Sequence, residues 1–174
     1  MITNNYLTLK PSDSQTQSPA TYYLQPNTLK KYMERLSYEI EINAEPEKVW
    51  SVLWGDITYR QWTTAFTEGS FYEGTLEENN IVKFLDPKNN GMYSKVEKVI
   101  PNEEIKFLHL GEIYDGIEVP QDWGEATEAY FLEENEEGTL LKAEIQTPAE
   151  FKEFFEEKFP KAMSIVKHLS ENQL

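Results

Sequence analysis

EIEINAEPEKVWSVLWGDITYRQW, residues 39–62, changes its period partway along, and that change decides the fold. Tyr38, Ile40 and Ile42 alternate with Glu39, Glu41 and Asn43, the two-residue period of a half-buried strand starting at Ser37. Ala44-Glu45-Pro46 then turns the chain, and Pro46 suits a first helical position, where its missing N–H would have no intrahelical partner anyway. Val49, Trp50, Leu53 and Trp54 share one face of a helix running to about Trp54, Gly55 supplies a stop, and Tyr59 to Phe66 form a second short helix. Four large aromatics, Trp50, Trp54, Tyr59 and Trp62, therefore follow the first strand within thirteen residues.

Downstream the punctuation is that of successive antiparallel strands, at residues 69–74, 81–86, 91–100, 103–110, 125–134 and 139–147, seven with the first. Asn90-Gly91, Pro101-Asn102 and Glu137-Gly138 sit where hairpin turns belong, and Asn-Gly is the strongest signal because both residues tolerate positive φ. In PAEFKEFFEEKFPKAMSIVKHLSEN, Phe151, Phe154, Phe155, Phe159, Met163, Val166 and Leu169 recur at spacings of three and four, predicting an amphipathic helix of about twenty residues kinked at Pro160. A helix carrying four Phe on one face needs an apolar surface to receive it, and a bent antiparallel sheet provides one.

Upstream, residues 1–36 read as an N-terminal extension. KPSDSQTQSPA (10–20) has almost nothing to bury and resembles a linker or disordered arm, or translated upstream sequence. Tyr22, Tyr23 and Leu24 could dock on the domain surface, and LKKYMERL (29–36) reads as a short helix. Residues 37–174 form one domain on this reading, which suits a 174-residue chain with 39% hydrophobic and 13% aromatic residues.

A formal charge of −15, from 31 acidic and 16 basic residues, repels phosphate backbones and anionic membranes, so nucleic acid and membrane surfaces are not expected partners. No run approaches the roughly 18 apolar residues of a membrane span, and the N-terminus lacks the apolar core of a signal peptide, which predicts a cytoplasmic protein. The absence of cysteine excludes disulfides, thiolate nucleophiles and thiolate metal sites.

Strand, two short helices, six strands and a long helix is the order of the α+β helix-grip fold, a curved antiparallel sheet wrapped around a C-terminal helix. The chain from Ser37 resembles the START-like (SRPBCC) superfamily, and within it the branch similar to the C-terminal domain of the activator of Hsp90 ATPase. The resemblance is carried by EIEINAEPEKVWSVL, GMYSKVEKVIPNEEIKFLHLGEIYDGIE, GTLLKAEI and FFEEKFPKAMSIVKHL, in that order, over about four fifths of the chain. It implies a deep apolar cavity between sheet and C-terminal helix. It implies no fixed catalytic set, since the superfamily spans lipid carriers, hormone receptors and cyclases.

Within that frame Trp50 and Trp54 read as core where the first helix meets the sheet, while Trp62 and Phe66 either pack or line and gate the cavity mouth. Trp123, in DGIEVPQDWGE, lies on a loop approaching the same mouth, as a ligand contact or a hydrophobic anchor. Alternation directs Phe71, Phe84, Phe107, His109 and Tyr130 inward, and Tyr93 with them unless the register slips by one residue. Phe159 and Met163 face them from the long helix. Aromatic walls with an occasional hydroxyl or imidazole suit a flat, largely apolar small molecule carrying one or two polar handles.

Chemistry is sparse. His109 in FLHLG is the candidate acid–base group, with Tyr93 or Tyr114 as helpers, although a lone histidine on an apolar face also reads as a hydrogen-bonded core residue. His168 belongs to the surface. No GxSxG or HExxH motif occurs, DPKNNG reads as a hairpin turn rather than a calcium loop, and no metal or cofactor is expected. Three readings follow: a binding protein for a small hydrophobic molecule, a cyclase- or dehydratase-type enzyme using His109, and an interaction protein with a chaperone partner, as monomer or homodimer.

Overall fold

The computed structural model describes residues 32–172. Eight strands and three α-helices occur among them: β1 (Met33–Ile42), α1 (Pro46–Trp54), α2 (Asp56–Trp62), β2 (Phe71–Glu73), β3 (Ile81–Leu85), β4 (Gly91–Ile100), β5 (Glu104–Tyr114), β6 (Ile117–Pro120), β7 (Thr127–Asn135), β8 (Gly138–Pro148) and α3 (Lys152–Asn172). One antiparallel sheet runs β1-β8-β7-β5-β4-β3-β2. The architecture is the expected helix grip, with α3 packed on β1, α1 and α2.

Two differences from the sequence reading have physical causes. Eight strands, rather than seven, occur among the described residues. β6 pairs with the second half of β5 through a two-residue turn in which Asp115 and Gly116 both take positive φ (49° and 77°); Ile117 and Val119 alternate with Glu118 there, but the strand has only four residues, all exposed, so it does not stand out as a half-buried run. Residues 33–36 are strand rather than helix, because β1 pairs with β8 from Met33↔Pro148 onward. Residues 1–31 of the extension, Tyr22 to Leu24 among them, lie outside the described residues.

β5 has two successive neighbours on one edge: residues 104–108 pair with β7, and residues 111–114 pair with β6. Its other edge pairs with β4, with a break in register between Tyr93 and Ser94. Ser94 therefore faces the main core beside His109, while Tyr93 joins Leu85 and Ile113 in a second small cluster flanked by Phe71 and Leu110. The main core runs from Val49, Val52 and Leu53 of α1 through Val82, Val96, Ile105 and Leu141 of the sheet to Phe159 and Val166 of α3.

The turns follow their residues. Asp86 Oδ1 accepts the Lys88 and Asn90 backbone N–H groups (2.7 and 2.9 Å), closing the DPKNNG turn and holding its carboxyl below the usual range. Asn89 takes the positive φ of 60° there.

Candidate functional site

Pro46 starts α1 at its first turn, and Gly55 separates α1 from α2 at a crowded point: a Cβ there would stand 2.6 Å from the Ser51 carbonyl oxygen and 2.9 Å from Thr58 Oγ1. The tight break brings the end of α1 and the whole of α2 onto the sheet, so that Trp54, Tyr59 and Trp62 converge. Each is pinned through the backbone. The Trp62 indole N–H donates to the Leu53 carbonyl at 3.0 Å, the Tyr72 hydroxyl to the Trp54 carbonyl at 2.7 Å, and the Thr63 hydroxyl to the Tyr59 carbonyl at 2.7 Å. Trp54 meets Phe107 and Tyr130 edge to face at 5.5 and 5.4 Å, geometry that ring quadrupoles favour.

These rings wall a cavity of about 210 Å³. α1 and α2 supply Trp54, Tyr59 and Trp62, and the segment after α2 supplies Thr63, Phe66 and Thr67. Phe84, Gly91, Met92, Glu128 and Tyr130 enter from the sheet, and α3 closes it with Phe154, Phe155 and Phe159. Phe66 and the exposed Phe154, ring centroids 6.1 Å apart, lie where the cavity reaches the surface.

The one carboxyl group of the wall is Glu128. Its Oε1 accepts the Tyr130 hydroxyl. Its Oε2 lies 3.8 Å from His109 Nε2, outside hydrogen-bond range, and the side chain remains 21% exposed. On the far side of the imidazole, Nδ1 lies 2.8 Å from Ser94 Oγ, itself wholly buried. Burial pulls the His109 pKa down to about 4, so the ring is neutral at ordinary pH. Burial also raises the Glu128 carboxyl, against the opposing effect of the Tyr130 hydrogen bond, and it raises Tyr130 strongly, with Glu128 adding to that shift.

Of the residues expected to contact a ligand, Trp62, Phe66, Phe84, Tyr130 and Phe159 come together in this wall. Phe107 and Met163 are buried in the core outside it, and His109 stands behind Glu128. Trp123 is buried with its ring edge-on to Phe151 at 6.4 Å, anchoring the loop before β7 to the segment that leads into α3. Phe71 and Tyr93 belong to the second cluster, and Phe71 also lies under the Arg60 guanidinium at 5.0 Å. The residue of β2 that faces the cavity side is Tyr72, one position away. Tyr114 is exposed at the end of β5.

Sequence reasoning passed over Glu128, Met92, Phe154 and Phe155 as lining residues. Glu128 carried a usable signal: it lies two residues before the inward Tyr130 on the same strand and so shares its face.

Among the described residues no cluster of potential metal ligands occurs, and no helix is long and apolar enough to cross a membrane. No protein-family model matches the chain, and no curated protein matches it in sequence. Solved structures do match. The Aha1 dimer of Colwellia psychrerythraea, a solution structure, superposes with a TM-score of 0.64 at 21% identity over 80% of this chain and 97% of its own. Protein CV1439 of Chromobacterium violaceum gives 0.60 at 15% identity over 80% of this chain and 99% of its own. Protein MLL2253 of Mesorhizobium loti gives 0.62 at 14% identity over 78% and 96%. At these identities the likeness is one of fold.

Proposed function

Starting from a chain with the Aha1-like, START-type helix-grip fold, we propose that it binds a small, largely aromatic molecule in the cavity between α2, the sheet and α3. The observation that carries this reading is the wall itself: nine of its fourteen residues are aromatic, yet a volume of about 210 Å³ remains unfilled among them. Close-packed interiors leave few voids larger than a water molecule, so an aromatic-walled space with the exposed Phe154 in its wall is better suited to a guest than to packing. The size fits one or two rings with a short substituent.

A thermal-shift screen of small aromatic compounds tests it. A compound at a hundred times its Kd should raise the melting temperature by roughly 5–10 °C, the equivalent of about 2.7 kcal/mol in a domain of this size. If no compound that fits the volume stabilises the protein, the reading fails.

A second reading is favoured by the Ser94–His109–Glu128 alignment: a carboxyl raised by burial, facing the cavity and backed by a neutral imidazole, is a candidate proton donor or acceptor. On that reading the group touching substrate is Glu128, with His109 as its positioning residue. Glu128→Gln would then abolish conversion of a bound compound, followed by mass spectrometry, while preserving its binding. Conversion at the wild-type rate by the variant would exclude it.

A further inference from the structure

We propose that the cavity takes a cation: a small molecule with an ammonium head and an apolar or aromatic body, the head enclosed by ring faces and set against Glu128. The inference rests on the cavity reading above and narrows it to a chemical class.

Three features of the wall converge on it. Nine of the fourteen wall residues are aromatic, and a cation set over the face of such a ring is attracted by its quadrupole, more strongly once desolvated. Trp54 and Trp62, the strongest ring type for this purpose, both belong to the wall. Glu128 is the wall's one carboxylate, and no lysine, arginine or histidine lines the cavity with it. The groups that face Glu128 are His109 from β5, Tyr130 from β7 and Tyr59 from α2. None supplies a positive charge: burial keeps the imidazole neutral and holds both phenols protonated.

A neutral guest would cover Glu128 and strip its remaining water without replacing it. An ammonium head instead supplies the counter-charge, and Oε2, which has only the distant His109 ring, is the oxygen open to it. The net charge of −15 acts in the same direction from a distance by concentrating cations around the protein.

The test compares two probes of nearly equal shape, benzyltrimethylammonium and its uncharged carbon isostere neopentylbenzene, titrated into the full chain and followed by tryptophan fluorescence, since Trp54 and Trp62 are in the wall. The ammonium should bind at least about tenfold more tightly near neutral pH, a difference of about 1.4 kcal/mol. Its affinity should rise with pH across the Glu128 titration while that of the isostere stays flat. Glu128→Gln should bring the two affinities together, and because the wild-type comparison stands alone, a poorly folding variant leaves the test intact. Equal or tighter binding of neopentylbenzene to the wild type overturns the cation inference and leaves the cavity reading standing. Failure of both probes to bind overturns both.

Discussion

His109 Nε2 lies 3.8 Å from Glu128 Oε2 while its Nδ1 meets Ser94 Oγ at 2.8 Å, so a neutral ring stands between a wholly buried hydroxyl and the one carboxylate of the cavity. The two ionisable partners push stability in opposite directions with pH. His109 has a folded pKa of about 4 against 6.5 unfolded, so the unfolded chain binds the extra proton, and this contribution is lost as pH falls from 6.5 to 4, by at most about 3 kcal/mol. Glu128, raised above 4.5, contributes stability that is present at low pH and lost as pH rises through its folded value. Removing the carboxylate with Glu128→Gln should therefore steepen the acid side of the stability curve between pH 6.5 and 4, measured by urea denaturation at a series of pH values. An unchanged slope would show that Glu128 is not linked to folding.

Trp62 and Phe66 divide structural from binding roles. Trp62 is 4% exposed with its indole N–H bonded to Leu53, so Trp62→Ala should cost about 3 kcal/mol or more and lower the melting temperature of the free protein. Phe66, half-buried at the cavity opening, should lose less than about 1 kcal/mol as Phe66→Ala while weakening ligand binding at least about tenfold. Melting curves and titrations on the two variants check the split.

Tyr38 stacks on Phe159 at 4.9 Å, but its hydroxyl is buried without a partner among the described residues. Deleting an unsatisfied buried hydroxyl removes a desolvation cost while keeping the stack, so Tyr38→Phe should leave stability unchanged or raise it by up to about 1 kcal/mol. A clear loss in denaturant midpoint would mean that the hydroxyl has a partner after all.

Gly91 opens β4 at φ 154°, and a Cβ there would overlap the Phe84 carbonyl oxygen at 1.9 Å. Gly91→Ala should destabilise by about 3 kcal/mol and, because Gly91 and Phe84 both border the cavity, reshape it as well. Chemical denaturation and ligand titration of the variant report the two effects separately.

Period and punctuation carried the fold. The alternation before Pro46, the Asn-Gly and Glu-Gly turns and the Phe-faced final helix defined the grip before any coordinate. They failed where two faces or two periods compete. In β2 the pair Phe71-Tyr72 is aromatic on both sides, so alternation could not tell which residue looks inward, and Tyr72 does. On β4, Ser94 and Tyr93 lie either side of a register break, which sends the aromatic away from the main core and the small polar residue into it. In β6 Ile117 and Val119 do alternate with Glu118, but over four residues that are all exposed the pattern is too short to read as a strand. Glu128 was overlooked for another reason: its one signal was its spacing from Tyr130, and in a chain with 31 acidic residues a single inward carboxylate looks like the rest.

β1 is one end of the sheet, ten residues long, with β8 as its strand partner and its opposite backbone edge unpaired among the described residues. Such a rim is where two copies could zip together. Glu39 and Glu41 sit along it with their side chains to solvent, so a second copy aligned antiparallel about Ile40 would set carboxylate against carboxylate. In that register the repulsion would oppose pairing near neutrality and fade on acidification, so light scattering should reveal more self-association on the acid side well before unfolding.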